Sequence, residues 1–433
     1  MKKTLSVLII LIFISSDIIA QQTPGGVQKE AITLLGGTAH IGNGKIIKNS
    51  VIILENGVIK ACVDATTSKI PYKGNIINIK GQHVYPGFIA ANTSLGLVEV
   101  DAVRASDDQR EIGNNNPNIN SLIAYNAESK VVESMRPNGV LIAQISPQGG
   151  RISGTSSIVQ LDAWNWEDAA IKTNDGIHLN WPNSFSRGRW WLGESRGYKQ
   201  NPKYNSDIEK LSDYFKESVA YLSSNKETIN LAYESMNGLF DNSQTLFIHV
   251  DDEKGIVDAV NFSKNFNIKN TVIIGGYQAH LISDFLVQNN IPVLIQHTHS
   301  LPNFEDEDYN STYLNPKKLI DDGVLVGIHT GSASNFQTRN LPFYAGQVAA
   351  QGMDKEIALQ LITSNTAKIL RIDKTLGTLE AGKNATLFVS KGDALDMKSN
   401  QLTSAYISGR KVSLETHQTE LWKRYSEKYK LSN

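Results

Sequence analysis

A single cysteine, Cys62, in 433 residues excludes an intramolecular disulfide framework and any zinc or iron–sulfur site built on several cysteines. An excess of one charge sign is also missing. The 42 Lys and Arg residues stand against 43 Asp and Glu, for a formal net charge of −1. With no long Lys/Arg run, that balance argues against a nucleic-acid partner. The glycine- and hydroxyl-rich stretch Gly149–Ser157 lacks the G-K-[ST] of a P-loop and reads as a loop offering backbone N–H groups to a ligand oxygen. The longest early apolar run, Leu5–Ile14 broken by Ser6, is shorter than the roughly 20 residues that cross a bilayer. What is present is ordinary: 40% hydrophobic and 20% charged residues exclude intrinsic disorder. The length calls for one large barrel-type domain or two domains.

Lys2 and Lys3, the apolar run and Ala20 before Gln21-Gln22 have the order of a cleaved signal peptide over residues 1–20. No cysteine follows to carry a lipid. The expectation is an exported protein, periplasmic or secreted, with no membrane span after cleavage.

Both ends of the chain read as short strands. Val51–Leu54 and Val58–Ala61 flank Asn56-Gly57, whose residue types suit the positive φ angles of a type I′ hairpin turn. Residues 385–389 and a second hairpin over 405–412 answer them at the far end. Between the ends, apolar runs of strand length recur at residues 140–145, 246–250, 272–274, 293–295 and 324–328, several followed by helical patterns. This rhythm predicts a parallel sheet closed into an eight-fold barrel. The fold class is therefore α/β: a (β/α)8 TIM-type barrel over 83–374, a composite β-sandwich from 31–82 plus 375–415, and a C-terminal helix over 416–433. The Trp-rich segment 164–204 breaks the rhythm and reads as a surface excursion, with a lid over the barrel mouth as the functional alternative. Residues 305–308 read as a solvated acidic loop.

Pro86-Gly87-Phe88-Ile89-Ala90-Ala91-Asn92-Thr93-Ser94-Leu95-Gly96 resembles the first barrel strand of the amidohydrolase superfamily, imidazolonepropionase-like branch. Thr363–Leu370 and Gly377–Ala385 resemble that family's T-x-N-P-A and G-x-L-E-x-G-K-x-A-D patterns. The resemblance implies a metal-activated hydroxide cutting carbon–nitrogen bonds other than peptide bonds, such as those of amides or cyclic amides. It also implies ligands from strands one, five, six and eight. Here the two strand-one histidines fall on Asn92 and Ser94, the strand-five ligand on His249, the strand-six ligand near Gly275 and the strand-eight aspartate on Gly331. Only His249 keeps a good ligand, so the expected metal site is degenerate, without a zinc or other divalent ion.

A relocated zinc site would draw on His249, His297, His299 and His329, because His297 and His299 stand at i and i+2 near a strand end. The alternative is a non-catalytic barrel that binds a small molecule, or a pseudoenzyme partner of an active relative. A homo- or hetero-oligomer fits either reading.

Overall fold

A computed structural model describes residues 23–431, apart from 189, 194–196, 226–227 and 332–334. The expected signal peptide lies outside the described residues.

Strands from both chain ends build one sheet. β1 (Ile32–His40), β2 (Ile46–Glu55), β3 (Val58–Asp64), β4 (Asn75–Asn78) and β5 (His83–Pro86) come from the start. After the barrel, β16 (Leu387–Ser390), β17 (Leu402–Ile407) and β18 (Arg410–Val412) complete it, in the order β18-β17-β16-β5-β1-β2-β3, with β4 on β1. Asn56 and Gly57 take φ of 53° and 75°, as the β2–β3 turn requires. Leu34, Ile52 and Leu54 share one core with Leu387, Val389 and Tyr406. The sheet reaches Pro86, so it extends past residue 82 and the barrel begins at Phe88.

The barrel closes through β6 (Phe88–Thr93), β7 (Val140–Ile145), β8 (Ile152–Gln160), β9 (Ala170–Asn180), β12 (Thr245–Val250), β13 (Thr271–Gly275), β14 (Val293–Gln296) and β15 (Val326–His329). The remaining strands, β10 (Phe185–Arg187) and β11 (Tyr198–Gln200), pair as a separate hairpin. The apolar runs β12–β15 are buried along nearly their whole length, as parallel strands covered on both faces must be. Asp252 caps the helix Glu253–Asn265 that follows β12, accepting the Gly255 N–H at 2.9 Å.

Two expectations are corrected. The stretch Gly149–Ser157 is not all loop, because β8 begins at Ile152 and runs antiparallel to both β7 and β9. Only residues 146–151 join β7 to β8, too few for a parallel crossover, so the chain turns back through Gly149 and Gly150 at φ of 85° and 62°. Nor is residues 164–204 a surface excursion, since the segment contains β9 and the buried Trp181. Two helices follow late in the barrel, Lys355–Gln360 and Ser364–Ile369. The C-terminal helix runs over His417–Tyr429.

Asp162 joins the two ends at the edge of the barrel. Its carboxylate meets Arg136 at 3.5 Å and Arg410 at 3.2 Å, and accepts the Gly25 N–H at 2.8 Å. Arg136 also donates to the Leu161 and Ser413 carbonyls at 2.8 and 3.0 Å. Because Asp162 and Arg136 are buried, Asp162→Ala leaves cations without their counter-charge. Urea unfolding should show a loss of about 3–5 kcal/mol, whereas a loss under about 1 kcal/mol would contradict this account.

Candidate functional site at the barrel mouth

The C-terminal strand ends surround a cavity of about 590 Å³. Asn92, His249, Gly275 and Gly331, four of the five positions singled out in the sequence, line it together with His329. Ser94 turns away instead: its buried hydroxyl donates to the Asn335 carboxamide oxygen, and Asn335 in turn donates to the Val98 carbonyl at 3.2 Å.

Asn92 sits at the end of β6 with φ of 49°, a left-handed conformation that asparagine tolerates better than most side chains. Its N–H donates to Gln144 Oε1 at 3.0 Å. Gln144 Nε2 donates to Asp175 at 2.9 Å, and Ser156 Oγ donates to the other Asp175 oxygen at 2.6 Å. One buried carboxylate therefore ties β6, β7, β8 and β9 together. Burial pushes the Asp175 carboxyl up from its ordinary value, while the Ser156 and Gln144 donors oppose that shift.

Three imidazoles gather below the mouth. His178 on β9 is wholly buried, and its Nδ1 lies 2.9 Å from Nε2 of the partly exposed His249 on β12. His329 at the end of β15 is buried. Its Nδ1 accepts the Gly331 N–H at 3.2 Å, which puts the proton of the neutral ring on Nε2. Among the described residues His178 Nε2 and His329 Nε2 have no hydrogen-bond partner. Burial lowers the His249 pKa to about 4 and the His329 pKa to about 3, so both rings are neutral at pH 7.

The other two members of the relocated set follow the end of β14, and of them only His297 bears electrostatically on His329. β14 ends at Gln296, before His297 and His299. Both rings pack on Tyr344, and His299 is exposed. Among the described residues no group of three or more His, Cys, Asp or Glu side chains is arranged to hold a metal ion.

Two strand ends have no room for a ligand side chain. A Cβ on Gly331 would overlap both the carbonyl oxygen and the carboxamide nitrogen of Asn92. Gly275 has φ of 96°, and a Cβ there would press on Asp251 Oδ1. The donor set thus does not fit the ion that the resemblance implied. The remaining lining is rich in carboxamides: Gln148, Asn180, Asn183, Asn201 and Gln296 join Asn92 around the cavity. On the rim, Arg151 and Asp207 approach to 3.8 Å.

His178 and Asp175 were not singled out in the sequence. They lie on a strand whose polar residues hid its register; two polar groups three residues apart in Asp175-Gly176-Ile177-His178 were the available signal.

Residues 231–417 match the amidohydrolase family profile. The chain is 25% identical over 382 residues to an imidazolonepropionase from Picrophilus torridus, covering 80% of this chain and 87% of that protein. A solved amidohydrolase from Thermotoga maritima MSB8 shares the fold, with a TM-score of 0.75 and 23% identity over 88% of this chain and 99% of that one. A solved Xaa-Pro dipeptidase shares it more distantly, with a TM-score of 0.55 and 14% identity over 88% of this chain and 100% of its own.

Gly331→Asp should not create an ion site, because the new side chain meets backbone. Chemical denaturation should show about 1–3 kcal/mol of destabilisation from this overpacking, and an unchanged midpoint would refute the clash. The imidazoles give a pH prediction as well. In the unfolded chain they take up protons near about pH 6.5, whereas the folded chain resists protonation. Stability contributed by their neutral forms is therefore level above that pH and lost as pH falls toward about 4, where His249 begins to protonate when folded. His329→Gln should make the fall in urea midpoint between pH 7.5 and 5 shallower; an unchanged slope would count against it.

Proposed function

We propose, for a chain that carries an amidohydrolase-family domain, that the barrel mouth binds a small neutral molecule of the amide or cyclic-amide type at a degenerate metal site. The protein is then of hydrolase descent, from enzymes acting on non-peptide carbon–nitrogen bonds, and keeps the recognition half of that chemistry. One observation carries this reading. Where ligands would be needed, Asn92 fills the space in front of Gly331, and the cavity wall is rich in carboxamides and neutral imidazoles, with Asp251, Arg151 and Asp207 as its charged-type side chains. Carboxamides offer both donors and acceptors without charge, the complement of an amide N–H and C=O. An activated hydroxide, by contrast, needs an open metal position held by three good ligands.

The gathering of His178, His249 and His329 favours a second reading. The unpartnered Nε2 atoms of His178 and His329, with His249 freed from His178, would hold an ion in a rearranged mouth, and the chain would then be a working hydrolase. The apolar start of the sequence supports export to the periplasm or beyond, and mass spectrometry of the mature N-terminus tests that. Pairing with an active relative is the form in which a non-catalytic barrel would still serve hydrolysis.

Elemental analysis of protein purified without a histidine tag decides between the readings. We expect zinc, iron and manganese far below one per chain, no turnover of a panel of amides and cyclic amides, and saturable binding of members of that panel. Stoichiometric zinc that His249→Ala removes, together with turnover, would overturn the binding-only reading.

A further inference from the structure

Beside the polar mouth lies a second cavity, of about 540 Å³, with the opposite chemistry. Phe185 on β10, Tyr198 on β11, Tyr277 after β13 and Phe304 line it. The Tyr198 and Phe304 rings lie with centroids 5.4 Å apart, and those of Tyr277 and Phe304 are 6.1 Å apart, both pairs tilted. Tyr277 is fixed: its hydroxyl donates to Glu307 and accepts the Asn303 N–H at 2.8 Å. Glu307 also accepts the N–H groups of Asn303 and Phe304, at 3.1 and 3.2 Å, so this acidic side chain shapes the loop that presents Phe304. Phe185 and Tyr198 remain 43% and 50% exposed, an uncommon cost for two aromatic rings on neighbouring strands of a hairpin.

The two cavities are neighbours, since Asn183 and Asp251 line both. Asp251 Oδ1 sits in front of Gly275 in the polar mouth and accepts the Tyr277 N–H at 3.4 Å on the aromatic side. The same carboxylate therefore sets the distance between the carboxamide wall and the aromatic floor.

We propose that the aromatic cavity is the second half of one binding site, and that it takes a flat apolar group, an aromatic ring above all, carried by the same small molecule whose amide-type head sits in the mouth. The inference rests on the reading of the mouth given above. The shared lining argues for this occupant, because Asn183 and Asp251 place the aromatic surface next to a ligand seated among the carboxamides. Tilted and edge-on ring contacts are the arrangement in which aromatic side chains hold a further ring.

Calorimetric titration of the full chain with hydantoin, 5-methylhydantoin and 5-benzylhydantoin tests this, since the three share one cyclic head. We expect the benzyl compound to bind about tenfold tighter than the methyl compound, in the range by which apolar pockets discriminate added carbon. Tyr198→Ser and Phe304→Ser should each reduce that preference while leaving hydantoin itself unchanged. Tyr198 is exposed, so its variant keeps the test open if Phe304→Ser unfolds. His249→Ala should weaken all three compounds alike. Equal affinity for the methyl and benzyl compounds would overturn the aromatic subsite and leave the reading of the mouth standing. A benzyl preference that survives both serine variants would also overturn it, as would a dimer in sedimentation that Tyr198→Ser dissociates, since a second copy would then cover the groove. Binding of none of the three would overturn the reading of the mouth and the inference with it.

Discussion

The closure of the barrel between β6 and β15 is the contact on which the site depends. Among the described residues the two strands pair through His329 and Ala91, and the Thr330 N–H reaches the Ala91 carbonyl at 3.4 Å. Past that point Gly331 lies so close to Asn92 that no side chain fits between them. Glycine at 331 allows the approach, and the left-handed turn at Asn92 aims its carboxamide into the space that remains. A strand end that would project an acid in the family pattern instead closes against its neighbour, and His329 beneath it is buried as a result.

The polar network under the mouth supports this seam from the other side. Asp175, Gln144 and Ser156 occupy the barrel interior where apolar layers would be the norm, and each is hydrogen-bonded. A buried carboxylate is costly unless its oxygens are satisfied, so its donors cannot move independently. The Gln144 oxygen left over receives the Asn92 N–H, and the strained residue at the seam is thereby held by a group three strands away. Rigidity of this kind suits a site that recognises through fixed donors and acceptors.

Charge is arranged with equal economy. The strongly paired ions lie away from the mouth, in the Arg136–Asp162–Arg410 cluster that fastens the two chain ends to the barrel. Within the mouth the imidazoles are neutral and the carboxamides uncharged, burial raises the pKa of the Asp251 carboxyl, and Arg151 and Asp207 face one another at the rim. A neutral ligand loses less hydration on entering such a cavity than an ion would, which supports the proposed amide-type ligand over a carboxylate or phosphate.

The barrel's second half was legible in the sequence because buried parallel strands are continuous apolar runs, and β12 to β15 are such runs. The terminal sheet was legible from its hairpins, whose turn residues carry their own geometry. The positions of Asn92, His249, Gly275 and Gly331 around one mouth followed from their places at strand ends. In the first half of the barrel β6 and β7 were legible, but β8 and β9 were not. β8 and β9 place Ser156, Asp175 and His178 inside, and hydroxyls and carboxylates read as loop until their partners on other strands are known. The antiparallel course of β8 is set by a six-residue turn whose strand was itself hidden. Whether an alternative cluster of histidines could form was likewise a question of direction: strand periodicity suggested that His297 and His299 point the same way, but β14 ends before them and Tyr344 takes both rings. Local pattern determines which segments are strands when their burial is apolar. Only tertiary contact decides which polar side chains are inside, because their burial depends on partners distant in the chain.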